Sequence, residues 1–468
     1  MTLSIILFFS IGAFVYNLIR SQVWRAWTLF VLSVFAVYVL QPRLPIRFAD
    51  FILPTVALVI TVTSWWFIQE KDQRLQSNNL ITLLILIGLI IGMAMMRFID
   101  ADYRLTPSRP PSPWMVFIGL MITCLLVIVL TRLFKPQHQI NLMLLGIIVL
   151  FVVLKSEFLA SAISKWWRGQ TAQDVTLASS LDLSWLGFSY IAFRLIHTLR
   201  DYQTGKLPAV SLREYLTYVM FFPSLIAGPI DRVERFIKDY RTLSSDFEAG
   251  LHRITVGIFK KFIIADSLTY GLSLDSIDIG QIQNTTGYWI LLYGYAFRLF
   301  FDFSGYTDIA IGIGLLFGVR LPENFNRPYL QTNITAFWQS WHITLSNWVR
   351  FYVFTPFSRW MLKHSIKRSP VVIVFAAQLL TMIIIGLWHG ITLNFFIWGL
   401  WHGVGLFIHK QWTDRTRKWY RSLSLRQNRL IAFGAWFITF HYIVIGWVWF
   451  ALPDVNESWH VLMGLFGF

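Results

Sequence analysis

Three histidines sit in settings where a titratable ring could do chemistry. His389 lies in Gly386-Leu387-Trp388-His389-Gly390, within an otherwise apolar stretch. A histidine there can exchange protons near neutral pH, and the neighbouring glycines let backbone or substrate approach closely. The competing reading is a hydrogen-bonded core histidine. A second Trp-His-Gly triplet, Trp401-His402-Gly403, follows thirteen residues on. For His402 a helix-packing or hydrogen-bonding role is the better fit. In the segment Phe337 to Trp348, the residues Trp338, Trp341, Leu345 and Trp348 recur at helical spacing. This puts His342 on the opposite face with Gln339, Ser346 and Arg350. The pattern fits an interfacial amphipathic helix as well as it fits a helix that offers a catalytic imidazole.

Other candidate groups surround these. Pro322 and Pro328 bracket Glu323-Asn324-Phe325-Asn326-Arg327 and forbid a regular helix there. Non-helical backbone survives at membrane depth only inside protein or beside a cavity, and an ordinary cytoplasmic loop is an equal competitor. Phe222 to Arg232, with Pro223, Gly228 and Pro229, is more apolar and reads as a buried broken or re-entrant segment. Lys260 and Lys261 also stand among apolar residues, and Arg298 and Asp302, four apart, are expected to form a structural ion pair. The single cysteine, Cys124, excludes an internal disulfide and a Cys-based metal site, and its apolar surroundings argue against an acyl-cysteine intermediate. No metal site is expected. Phosphate-loop, His-Glu-x-x-His and Gly-x-Ser-x-Gly motifs are absent from the sequence, which argues against the enzyme classes that use them and leaves a transporter open.

The elements that must position these groups are membrane helices. Of 468 residues, 56% are hydrophobic and only 14% charged, and the mean hydropathy is +0.57. A disordered chain or a soluble multi-domain enzyme does not have this composition. Apolar runs long enough to cross a bilayer recur at Met1–Ile19, Ala26–Gln41, Phe51–Gln69, Leu75–Met96, Trp114–Thr131 and Gln137–Leu154. The first lacks a cleavage pattern and is taken as the first span. These six runs carry almost no ionisable groups, so residues 1–155 read as scaffold spans, and the later chain as the working part of one integral membrane domain, 1–468. The net charge of +16 reads first as basic loops kept in the cytoplasm, and also suits an anionic ligand or acidic partner. Lys363, Lys367 and Arg368 form one basic cluster, and seven Lys/Arg against one acid fill Lys410–Arg429. Both are expected on the cytoplasmic side. Val371–His409 between them makes a helical hairpin bent at His389–Asn394, and Leu430–Pro453 then carries the tail Asp454–Phe468 to the outer side.

Several of these stretches, in order, resemble the membrane-bound O-acyltransferase (MBOAT) family. They are Ser189-Tyr190-Ile191-Ala192-Phe193-Arg194, Ala227-Gly228-Pro229-Ile230-Asp231-Arg232 with Arg235-Phe236, Phe300 to Tyr306, Asn324-Phe325-Asn326-Arg327-Pro328, Phe337-Trp338 through Trp341-His342, Trp388-His389-Gly390, and Phe437 to His441. The resemblance covers about Ser184 to Trp449, with residues 184–450 as the MBOAT-like core. It is strongest toward the DltB-like branch that D-alanylates teichoic acids, with the alginate O-acetyltransferase branch second. It implies an all-α polytopic protein of the cell (cytoplasmic or inner) membrane, its helices ringed about a central tunnel with re-entrant segments. An acyl group would pass from a cytoplasmic thioester to a hydroxyl of an extracytoplasmic polymer or glycolipid. His342 and His389, 47 residues apart, carry the family's two functional histidines. His389 would be the base, and His342 would orient the donor or stabilise charge. The same motifs nominate Asn324, Asn326, Arg327, Trp338, Trp341 and Trp388 as substrate or tunnel residues, and Ser346, on the face of His342, and Asn394, at the hairpin bend, join them. The resemblance implies no permanently bound cofactor. It implies a thioester donor, either a phosphopantetheine arm on an acidic carrier protein or an acyl-coenzyme A such as acetyl-coenzyme A for polysaccharide O-acetylation. A small membrane peptide or an extracytoplasmic acyltransfer partner is a further expectation, and nucleic acid is not. Trp348–Lys363 mixes Arg350 and Arg359 with Phe351, Tyr352, Phe354 and Phe357, which suits carrier docking or a helix lying among headgroups. The rivals of another class are a lipid or polysaccharide transporter and a non-catalytic scaffold.

Overall fold

The computed structural model describes residues 2–282, 284–364 and 369–468, together with the backbone but not the side chain of Lys71. Lys367 and Arg368 of the expected basic cluster lie outside the described residues. Among those residues the structure is helical, with one isolated bridge, Phe325 to Trp341, in place of a sheet. Eight helices are long and apolar enough to cross a bilayer: Gln22–Val39, Ala49–Ile68, Ser77–Phe98, Pro113–Leu133, Pro136–Lys155, Thr285–Leu316, Pro370–His389 and Leu425–Ala451. The first expected span forms a shorter apolar helix, Leu3–Leu18. The next five expected runs each became one helix, and Ala49–Ile68 accommodates Pro54 in its interior. Ser112 caps its helix at Met115 N with Pro113 at the first position. Only 6% of Pro113–Leu133 is buried, so its leucines and isoleucines face lipid on nearly every side.

The chain divides into two compact units. The first comprises Met1–His252 and Ala310–Leu321, and the second Arg253–Ile309 and Pro322–Phe468. The division falls at His252/Arg253, well past the change of sequence character near residue 155.

In the first unit the segment after helix Leu212–Val219 is broken and buried, as its prolines require: a short turn at Phe222–Ser224 leads into irregular backbone up to helix Val233–Tyr240. Its carbonyls are collected by Arg194, whose Nη1 donates to Tyr218 O (3.2 Å) and Val219 O (2.7 Å) and whose Nη2 donates to Ser224 O (2.9 Å) and Oγ (2.6 Å). The side chain is 1% exposed. A buried guanidinium is tolerable where most of its donors find acceptors in this way, although Arg194 Nε has none among the described residues.

In the second unit the expected hairpin is present. Pro370–His389 and Leu393–Arg421 are joined by three residues, and Thr392 caps the second arm at Phe395 N. The arms meet backbone to backbone: a Cβ at Gly386 would lie 2.2 Å from Phe395 O, and one at Gly399 would lie 2.6 Å from Met382 O. Small residues at such crossings let membrane helices pack closely. The expected Arg298–Asp302 pair does not form. Arg298 pairs with Asp275, and Lys261 takes Asp302. Four residues along one helix bring two side chains near each other, but a partner on a neighbouring segment can offer better geometry than an (i, i+4) neighbour.

Candidate active site

Two prolines and a clamp shape the strap from Pro322 to Val349. Asn324–Asn326 runs extended against Ser340–Ile343: Asn326 N donates to Ser340 O and Ile343 N to Asn324 O, both at 3.0 Å. The buried Asn324 accepts at its side-chain oxygen from Thr344 N (3.3 Å) and Thr344 Oγ1 (2.6 Å). The single amphipathic helix expected through Trp338, Trp341 and Trp348 is therefore two short ones, Ile334–Ser340 and Ile343–Val349. His342 sits between them with left-handed backbone (φ 42°, ψ 53°). That conformation costs a non-glycine residue about 1–3 kcal/mol and persists only where the surroundings over-determine it. The break also moves His342 off the polar face: Gln339 is exposed, whereas His342 is 3% exposed.

The His342 ring stands edge-on to Phe303 (4.7 Å between centroids) and lies 6.1 Å from Trp388. Neither ring nitrogen has a hydrogen-bond partner among the described residues. Burial, in a strap outside the spanning helices, lowers its pKa to about 3, so the neutral imidazole is the resident form. His389 ends the first hairpin arm half-buried, between Trp388 (4.4 Å), Phe450 (4.6 Å) and Phe395 (5.7 Å). The Trp388 indole thus touches both histidines, which 47 residues separate in the chain. His402 is fully buried in an aromatic cage of Trp338 (5.2 Å), Trp398 (4.7 Å) and Trp447 (6.0 Å). It packs as expected, but the hydrogen-bonding alternative is not realised among the described residues, where neither nitrogen has a partner.

The other nominated residues divide by place. Trp388 bridges the histidines. Trp338 faces His402, with its indole N–H buried and unpartnered. Trp341 is the hub of an aromatic cluster with Phe325 (5.2 Å), Phe337 (5.6 Å) and Trp447 (5.1 Å). Ser346 donates to Trp341 O (3.2 Å), a backbone tie. Asn394 lies buried in the second hairpin arm and donates to Leu452 O (2.6 Å) and Ser458 Oγ (3.1 Å), tying the hairpin to the C-terminal segment. On the suggested docking face Arg350 and Arg359 are exposed, but Phe354 and Phe357 are only partly so. The exposed apolar side chains there are Phe351 (46%) and Trp360 (56%).

Asn326 and Arg327 line a cavity of about 300 Å³ together with Arg253, Lys260, Ser304 and Asp308. Asp308, buried on the long helix Thr285–Leu316, receives Lys260 Nζ at 2.7 Å and Arg253 Nη1 at 3.1 Å, and Arg253 also pairs with Glu323. The Ser304 and Thr307 hydroxyls on the same helix are buried and have no hydrogen-bond partner among the described residues. Lys260 belongs to a π-helical stretch, Phe259–Ala265, a local widening that often marks functional positions. The sequence singled out Lys260 but gave no signal that Arg253 and Asp308 would join it.

A metal is conceivable at one cluster of the first unit, His197, Asp201 and Glu234, whose ligand atoms lie within 4.8 Å of one another. The donors are already engaged. His197 Nε2 accepts from Val233 N (3.2 Å), its Nδ1 faces Asp201 Oδ2 (3.3 Å), and Arg232 donates to Asp201 (2.8 Å) and Glu234 (2.9 Å). The set fits a satisfied ionic network better than a metal site.

With the geometry in place, comparison with known proteins gives the chain its relatives. The signature of the MBOAT, membrane-bound O-acyltransferase family matches residues 47–449, and the chain belongs to that family. It is 34% identical over 281 residues to a teichoic acid D-alanyltransferase of Bacillus subtilis, covering 58% of this chain and 69% of that one. It is 35% identical over 260 residues to a peptidoglycan O-acetyltransferase of Helicobacter pylori, covering 54% of this chain and 46% of that protein. To a probable alginate O-acetylase, AlgI, of Pseudomonas aeruginosa it is 36% identical over 290 residues, covering 60% and 52%. The match therefore spans about two thirds of the D-alanyltransferase but only about half of the two O-acetylating relatives. The chain is a multi-pass membrane O-acyltransferase.

Proposed function

We propose that this acyltransferase moves an acyl group from a cytoplasmic thioester to a hydroxyl of an extracytoplasmic envelope polymer or glycolipid, with His389 as general base and His342 as the group that steadies the reacting carbonyl. The observation that carries this reading is the Trp388 indole in ring contact with both imidazoles, which brings His342 next to the Trp388-His389 pair. A thioester is already activated, so the protein needs no nucleophile of its own. His389 accepts the acceptor's hydroxyl proton as that oxygen attacks the carbonyl. A neutral His342 donates one N–H toward the oxygen that becomes negative. When the tetrahedral intermediate collapses, the C–O bond is kept, the C–S bond breaks and the proton held on His389 passes to the departing sulfur. Burial, which keeps His342 neutral, supports its role as a hydrogen-bond donor that is not consumed as an acid.

D-alanyl transfer from a carrier protein is the favoured subtype. Arg350 and Arg359 beside Phe351 and Trp360 offer the mixture of cations and apolar rings that suits a transient protein contact. The alternative is O-acetylation from acetyl-coenzyme A, for which the O-acetylating relatives, at similar identity, speak equally. Purified protein is to be offered each donor with a hydroxylated envelope polymer, and the ester read by mass spectrometry. Carrier-dependent D-alanyl ester, weakened by Arg350→Glu or Arg359→Glu in a salt-dependent way, supports the first subtype. Efficient turnover of acetyl-coenzyme A with no affinity for any acylated carrier overturns it in favour of the second. No ester from either donor refutes the enzymatic reading for these substrates.

A further inference from the structure

Two consecutive long helices of the second unit border a space that the chemistry above does not use. Leu393–Arg421 and Leu425–Gly446 are joined by three residues. They also touch where the Trp401 and Tyr442 rings stack at 4.6 Å and Tyr442 O–H donates to Trp401 O. Between these ties lies a cavity of about 940 Å³, near the upper end of the usual range for small-molecule pockets. One wall is the stripe Gly405, Ile408, His409 and Trp412, at helical spacing on the first arm. The opposite wall is the stripe Ile431, Gly434, Ala435 and Ile438 on the second. The lining is mainly apolar, and Ile408 (60%) and Ile438 (70%) are exposed. A Cβ at Gly434 would meet nothing within 4 Å, so this wall is open, unlike the close helix crossings at Gly386 and Gly399.

The turn closing this space is strongly basic. Lys410 to Arg429 holds seven Lys/Arg and one acid. That acid, Asp414, is paired with Lys410, so Arg415, Arg417, Lys418, Arg421, Arg426 and Arg429, all exposed, remain uncompensated by any acid of this stretch. Trp412 (54%) and Trp419 (47%) stand exposed among them, as indole rings do at headgroup level. An apolar cavity capped by cations and flanked by interfacial aromatics matches one kind of molecule: acyl chains carrying an anionic head.

We propose that this cavity binds an anionic phospholipid of the surrounding bilayer, its chains between the two helices and its phosphate on the basic turn. Such clusters of four to eight cations beside membrane helices attract anionic lipid with about a fivefold gain for each charge. The full chain in detergent is to be incubated with phosphatidylglycerol or phosphatidylcholine and examined by native mass spectrometry. The wild type should retain phosphatidylglycerol well above phosphatidylcholine. Arg426→Gln with Arg429→Gln should cut phosphatidylglycerol retention by about 25-fold, from that fivefold per charge, and leave phosphatidylcholine unchanged. Gly434→Trp, placed in open space, should reduce both, with the unfolding temperature of each variant confirming an intact fold. Equal retention of the two lipids by the wild type overturns the proposal. So does retention unaffected by either variant, or a second copy of the chain or a partner helix found seated in the cavity.

Discussion

His197 in the first unit and His342 in the second are both buried and both held neutral, yet they live in opposite surroundings. His197 is locked by a backbone N–H on one nitrogen and Asp201 on the other. His342 presents two unpartnered nitrogens to an aromatic wall and occupies a strained backbone conformation. A satisfied ring stabilises the fold. A ring left without protein partners costs about 1–3 kcal/mol of desolvation, and together with the strain at φ 42° that cost has to be offset by the packing around it. The contrast separates a structural histidine from one free to engage a substrate, although a burial value alone makes them look alike.

The largest test of this contrast is loss of turnover. His389→Ala should lower acyl transfer by about 100- to 10,000-fold, and His342→Ala by about 100- to 1,000-fold. Both should leave a monodisperse protein in size-exclusion chromatography. Near-normal rates in a well-folded variant would remove that histidine from the chemistry. His197→Ala should do the reverse. It removes the acceptor of the Val233 N–H and one of the partners of Asp201, which keeps Arg232, and should cost about 1–3 kcal/mol of stability, while specific activity per folded molecule stays close to wild type. A rate loss without a change in thermal unfolding would dissolve the distinction between the two units.

A smaller effect concerns pH. Burial lowers the pKa of His342 to about 3 and that of His197 to about 4, below the ordinary value near 6.5. The unfolded chain therefore binds protons that these rings refuse when folded. Their contribution to stability is complete above about pH 6.5 and is lost as pH falls toward the folded pKa values. Between pH 6 and pH 4, His342→Phe should lose roughly 1 kcal/mol per pH unit less than wild type does from this site. Parallel curves for the two proteins in thermal melts would show that His342 is not held neutral.

The smallest perturbation is a cysteine label that maps which side of the membrane the loops of the second unit face. In a Cys124→Ala background, Ser422→Cys in the basic turn should react with an impermeant thiol reagent only after the cells are opened. Asn456→Cys, exposed in the tail, should react in intact cells whose outer envelope is permeabilised. Ser458 is unsuitable because it is fully buried against Asn394. The inverse labelling pattern would put the docking face at Arg350 and Arg359 on the wrong side for a cytoplasmic donor.

The sequence by itself determined the apolar helices of residues 1–155, the hairpin with its bend after His389, the broken segment after Val219 and the family motifs. These depend on composition, on proline and glycine, and on periodicity within about 20 residues, which is what an apolar run needs to cross a bilayer. Only the tertiary structure decided that the helix expected through Trp341 breaks at His342, because the cause is Asn324, eighteen residues upstream, holding Thr344. Tertiary structure also set the Trp388 ring against the distant His342, gave Arg298 to Asp275 instead of Asp302, and gathered Arg253 and Lys260 around Asp308. In each case the deciding contact joins residues far apart in the chain. Such a partner is chosen by which side chains packing brings into hydrogen-bond or ring contact, and no local pattern encodes that choice.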